Sequence, residues 1–101
     1  MKGIFILGYG IKEIDVENTL EALQEVVDGC IETVPILPGE AVMIVNEEGK
    51  LRGMTANAMA SIVSGRHIVG PALIVGVNGE EFTDVPAKVK RIVRVRYGGP
   101  L

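Results

Sequence analysis

Asn18-Thr19-Leu20-Glu21-Ala22-Leu23-Gln24-Glu25-Val26-Val27-Asp28-Gly29-Cys30-Ile31-Glu32-Thr33-Val34-Pro35-Ile36 decides the fold, because it reads first as a helix and then as a strand. Leu20, Leu23, Val26 and Val27 recur at helical spacing and make one apolar stripe, with Glu21, Gln24, Glu25 and Asp28 largely off it. Asn18 stands where an N-cap belongs, and Glu21 three residues on completes a capping-box pattern. Gly29 fits a left-handed C-terminal cap. The strand that follows, Cys30 to Ile36, meets Pro35 and Pro38, which places it near a sheet edge. An amphipathic helix of this kind buries its stripe against a sheet, so the expected class is α+β.

The rest of the chain supplies that sheet. Gly3 to Tyr9 reads as a strand, and Ile11 to Val16 alternates loosely enough for a short edge strand. Ala41 to Val45 is a continuous branched run, the pattern of a central strand. Asn46-Glu47-Glu48-Gly49 has the signature of a type I turn, with Lys50 to Met54 as the returning strand. Asn57 to Ser64 allows a short helix capped by Thr55 or Asn57 and ended by Gly65. Ile68 to Val77 gives a strand pair or one bent strand broken at Gly70-Pro71, and Asn78-Gly79 is a hairpin signal. Thr83-Asp84-Val85-Pro86 opens a short helix with Pro86 in its first turn. From Arg91 the pattern changes: Val93, Val95 and Tyr97 alternate with Arg94 and Arg96, which is strand period. The expectation is one domain over residues 1–101: a mixed or antiparallel sheet of five to seven short strands, one main amphipathic helix, and one or two short helices.

Charge divides the chain. Residues 1–48 carry ten acids and two bases, net -8, and residues 49–101 carry three acids and eight bases, net +5. The formal total of -3 excludes the chain-wide cationic surface of a non-specific nucleic-acid binder. Apolar residues are 48%, too many for a disordered tail and, in a chain this small, enough to suggest a homo-oligomer. Cys30 is the one cysteine, so no intrachain disulfide and no Cys/His zinc cluster is expected. The apolar run at the N-terminus is too short for a signal peptide, and Ile68 to Val77 is about half a bilayer span. The reading is a cytoplasmic protein in a reducing compartment, with no membrane segment, cofactor or metal.

Few residues suggest chemistry. His67 is the one histidine, and neither Cys30 nor Ser61 and Ser64 come with a third orienting group or a nucleophile-elbow motif. Glu47-Glu48 and Glu80-Glu81 sit in turns, where adjacent carboxylates point apart. Gly8-Tyr9-Gly10 lacks the third glycine of a dinucleotide fingerprint. Ser64-Gly65-Arg66-His67 offers backbone N–H groups at a helix end and a guanidinium for an anion, against an ordinary helix cap with a solvated arginine. Arg94 and Arg96 on one face of a strand would stand about 7 Å apart, suited to two phosphates, against an edge strand whose bases discourage aggregation. Asn46 and Asn57 carry the donor and acceptor that a base or sugar requires, against a turn and a cap role. Tyr97 and Tyr9 can stack on a base or simply pack.

Several segments together resemble a known family. They are the helix Thr19 to Gly29 leading into Ile31-Glu32-Thr33-Val34-Pro35, then Val45-Asn46-Glu47-Glu48-Gly49-Lys50-Leu51, Asn57, Ile68-Val69-Gly70-Pro71, Gly76, and Phe82-Thr83-Asp84. In this order they resemble the small bacteriophage and mobile-element family called domain of unknown function 3846, over residues 13–85. The resemblance implies a phage-encoded protein acting in the host bacterial cytoplasm, and it supplies no catalytic residues. The expected function is a non-enzymatic anti-defence sponge that sequesters a small anionic, nucleotide-type signal. Its ligand-binding residues would be Arg66, Arg94, Arg96, Asn46, Asn57 and Tyr97. The alternatives are an inhibitor or adaptor that binds a host protein through Glu21, Glu25 and Asp28, and a nucleotide-degrading enzyme with His67 as base.

Overall fold

The computed structural model describes the backbone of residues 1–97 and the side chains of residues 1–95. The elements in chain order are β1 (Lys2–Leu7), β2 (Gly10–Asp15), α1 (Leu20–Val27), β3 (Ile31–Leu37), β4 (Ala41–Asn46), α2 (Ala58–Ser64), β5 (Ala72–Asn78), β6 (Glu81–Thr83) and α3 (Ala87–Tyr97). All strand pairs are antiparallel, in the order β2-β1-β5-β4-β3, and β6 pairs with the far end of β5. The fold is α+β, as the helix-then-strand reading requires.

Helices cover both faces of the sheet. On one face Leu23 and Val27 of α1 bury against Ile44, Leu73 and Val75. On the other, Ala60 of α2 and Val89 and Val93 of α3 bury against Ile4, Ile6, Met43, Val45 and Ile74. Strands β4 and β5 are therefore covered on both sides, which is why their sequences run apolar without alternation. The edge strand β3 carries Pro35 and a register shift between Pro35 and Leu37. Proline removes an N–H that an edge does not need.

Local chemistry sets the helix ends. In α1 the N-cap is Thr19, whose hydroxyl accepts from the Ala22 N–H, and the left-handed residue at the C-terminus is Asp28 (φ 62°). Both lie one residue from the sequence expectation of Asn18 and Gly29. Asn18 instead donates its amide to the Phe82 carbonyl at 2.8 Å. The Arg52 guanidinium closes the end of α1 by donating to the Asp28 carbonyl and carboxylate. A cation there complements the negative end of the helix.

Two expectations are corrected. Lys50 to Met54 does not return as a strand: residues 47–53 form turns, with Gly53 at φ +68° and the Met54 N–H reaching back to the Gly49 carbonyl at 2.9 Å. Residues 91–97 are helical, not a strand. Pro86 starts the first turn, its carbonyl accepting from the Val89 and Lys90 N–H groups. Val89 and Val93, four apart, then meet the core from one side. Two ion pairs fix α3 over the sheet, Lys90 to Glu13 at 3.0 Å and Lys88 to Glu40. The longest helix is thus α3, where the sequence suggested α1.

At the start of β1, Asp15 accepts from the Met1 ammonium at 2.9 Å and from Lys2 at 3.0 Å. The ammonium and then Lys2 hold its carboxyl below the ordinary range. A carboxyl lowered in the folded state adds stability above its unfolded value, near 3.9, and loses it as pH falls through the lower folded value. Asp15→Asn is therefore expected to lower stability slightly near neutrality, the pair being exposed, and not at all in strong acid, so that the acid limb of a stability–pH curve flattens by that same small amount. Parallel acid limbs for the two proteins would contradict this.

Candidate functional site

The polar concavity richest in candidate groups has a volume of about 200 Å³ and lies on the α2/α3 face. Its floor is Val34, Val45 and Ile68, and its rim carries Lys50, Arg66, His67, Glu32 and Glu47. The 46–51 turn supplies one wall. There Asn46 builds an Asx turn, its Oδ1 accepting from the Glu48 N–H at 2.7 Å. Gly49 is buried against Val69, and a Cβ at 49 would come within 2.9 Å of Val69 Cγ2, so glycine lets the turn close on the 66–69 segment. The opposite wall is the exit from α2, where Gly65 at φ +72° turns the chain and leaves the Arg66 and His67 side chains exposed.

Of the expected binding residues, the structure brings Arg66 and Asn46 to this concavity, and Lys50 with them. Asn46 is 5% exposed, and its amide donates to the Val27 and Asp28 carbonyls at 3.0 Å each. Its side chain is thus committed to the end of α1 on the opposite face and to its own turn, so a structural role replaces the expected base or sugar contact. Asn57 is 1% exposed: its Nδ2 donates to the Ile6 and Gly70 carbonyls at 2.9 and 2.8 Å, and its Oδ1 accepts from the Ala60 N–H at 3.2 Å. It joins β1, α2 and the entry to β5, so the expectation of a base or sugar contact there is replaced by a structural role. Arg94 is exposed on α3 and does not line the concavity. The backbone turns roughly 200° between positions 94 and 96, so the strand-type alignment of the two arginines does not form. The side chains of Arg96 and Tyr97 lie outside the described residues.

Of the backbone donors expected at the end of α2, those of Gly65 and Arg66 are occupied, as is that of Ile68 just beyond. The Gly65 N–H donates to the Ser61 carbonyl at 2.9 Å, the Arg66 N–H to Ser64 Oγ at 3.1 Å, and the Ile68 N–H to Ser61 Oγ at 2.9 Å. Both serines are thereby tied to their own turn, and no hydrogen bond joins either to His67. The cationic groups left at the rim are side chains alone. Among the described residues Lys50 and Arg66 form no ion pair. Glu32 and Glu47 oppose them, so the rim is balanced rather than strongly basic. Also among the described residues, no three His, Cys, Asp or Glu side chains gather as metal ligands, and no helix is long and apolar enough to cross a membrane.

Sequence reasoning missed the dual use of Asn46 and the role of Arg52. It also missed that Glu32 and Glu47 share a rim with Arg66. The partners are 19 and 18 residues away for Asn46 and 24 for Arg52, beyond any local pattern.

A two-faced antiparallel sheet with a small polar concavity beside α2 defines an α+β domain. The chain belongs to the family described as Domain of unknown function (DUF3846), whose sequence model matches residues 4–96. That match takes in most of β1 and nearly all of α3, beyond the 13–85 stretch that carries the resemblance. No curated protein and no solved structure matches the chain.

Proposed function

We propose that the chain is a non-enzymatic binding protein that holds a small anionic ligand of the nucleotide type at the Lys50–Arg66 concavity. The observation that supports this is the meeting of two cationic side chains, 16 residues apart in sequence, on one rim without ion-pair partners among the described residues. Arg66 presents a planar fork of donors suited to phosphate, Lys50 a point charge, and His67 a ring that accepts or donates. Glu32 and Glu47 add acceptors for sugar hydroxyls or base amino groups. About 200 Å³ is below the usual 300–1,000 Å³ of a complete ligand pocket, so the rest of a nucleotide would extend beyond this rim. In the phage or mobile-element setting implied by the resemblance, capture of a host defence signal in the bacterial cytoplasm would be a sponge activity.

Calorimetry against cyclic dinucleotides and cyclic ADP-ribose isomers tests the reading. Binding is expected for at least one of them, and recovery of that ligand unchanged after heat release. Lys50→Ala with Arg66→Ala is expected to weaken it at least about tenfold, since each charge-assisted contact contributes about 1.5–3 kcal/mol. Silence across the panel from folded protein, or full affinity in the double variant, would overturn it.

A further inference from the structure

Helices α1 and α3 carry opposite charge on faces the fold cannot bring together. Each is anchored to the sheet by a buried pair four apart, Leu23 and Val27 in α1, Val89 and Val93 in α3. The sheet lies between them, so their outer faces point away from one another. On α1 the outer positions Glu21 and Glu25 are exposed, with Leu20 54% exposed at the flank. On α3 the outer positions Arg91 and Arg94 are exposed, with Ile92 41% and Val95 77% exposed beside them. Among the described residues none of Glu21, Glu25, Arg91 or Arg94 forms an ion pair.

Like charges at positions three and four apart on a helix repel one another. Glu21 and Glu25 do so on α1, and Arg91 and Arg94 on α3. Each helix therefore gains from a partner of the other sign, and each sets an exposed apolar side chain next to its charges. We propose that copies of this chain associate head to tail, the basic outer face of α3 on one copy seated against the acidic outer face of α1 on the next. A two-fold contact of α1 on α1 or α3 on α3 would bring like charges together, so the contact is heterologous and builds a ring or a filament. The proposal is independent of the concavity beside α2.

Helices of 8 and 11 residues give a small contact, below the area of a permanent interface, so the assembly is expected to be weak and salt-sensitive. Sedimentation velocity reads it. Wild-type protein is expected to sediment as multimers in about 20 mM salt and as the monomer in about 0.5 M salt, where screening is strong. E21K/E25K and R91E/R94E are each expected to be monomeric at both salts, with circular dichroism like wild type because all four positions are exposed. Mixed in equal amounts the two variants are expected to reassociate, because every basic face then meets an acidic one. Three results would overturn the proposal: a wild-type monomer in low salt, a charge-reversed variant that assembles as wild type does, or a mixture that stays monomeric. A wild-type monomer that binds vesicles of anionic phospholipid would assign the α3 face to a lipid surface instead.

Discussion

Asn57→Ala is expected to lower the stability of the chain by about 3–4 kcal/mol, a large share of the 5–15 kcal/mol typical of a domain. Three losses act together. The N-cap of α2 disappears, which alone costs about 1 kcal/mol. The Ile6 and Gly70 carbonyls lose their buried donor, each at about 1–3 kcal/mol. The void left by the amide is lined by polar atoms, and a water entering it would recover part of that, hence the lower end of the sum. The measurement is a urea titration, with the midpoint falling and the slope unchanged. Asn57→Asp separates the causes: it keeps the acceptor for Ala60 and removes both donors. An aspartate variant as stable as wild type would show that the cap alone matters and sink the account of Asn57 as a three-way tie.

Gly76→Ala is expected to be the second most damaging single change. Position 76 in β5 faces the side of the sheet covered by α3, and a Cβ there would lie 2.4 Å from the Asp84 carbonyl oxygen and 2.5 Å from Thr83 Oγ1. The first of these is backbone and cannot rotate away. The chain leaving β6 crosses directly over β5 at this point and is held by the Lys2 N–H on Asp84 Oδ1 and the Val85 N–H on the Lys2 carbonyl, both at 2.8 Å. A methyl group forces the crossing outward and lifts the start of α3. Overpacking of this kind costs about 1–3 kcal/mol. Lys88, Lys90, Arg91 and Arg94 make α3 a ladder of tryptic sites, so limited trypsin digestion is expected to cut the variant there well before wild type. Equal digestion rates together with an unchanged urea midpoint would contradict the argument.

What the sequence discloses here follows from the range over which its signals act. The cap at Asn57, the left-handed Gly65, the edge prolines of β3 and the turn at Asn46 are set by neighbours within a few residues, and each is legible. The segment 91–97 is not, because two periods coexist in it. Val93 and Val95 alternate with arginines at strand spacing, while Val89 and Val93 recur at helical spacing. Pro86 as a helix start and the depth of the core at Val89 settle the choice, and burial is invisible in one sequence. The concavity was half legible. Arg66 stands out as a cation after a helix end, but its nearness to Lys50 and Glu32 depends on the packing of β3 and the 46–51 turn. Asn57 misleads for the same reason: a polar residue suits a ligand until its three backbone partners are known, one of them 51 residues away.

Strand order carries a consequence for synthesis. The pairs β1–β2 and β3–β4 are neighbours in sequence, whereas β5 bridges them, pairing Ile74 with Ile4 on one side and with Met43 on the other. As the chain leaves the ribosome, two hairpins exist before the strand that unites them. Each then displays a bare apolar edge, the kind that nascent chains on one messenger can join by mistake. Efficient production should therefore depend on how quickly residues 72–78 join the two hairpins, and slowing that step should raise the insoluble fraction.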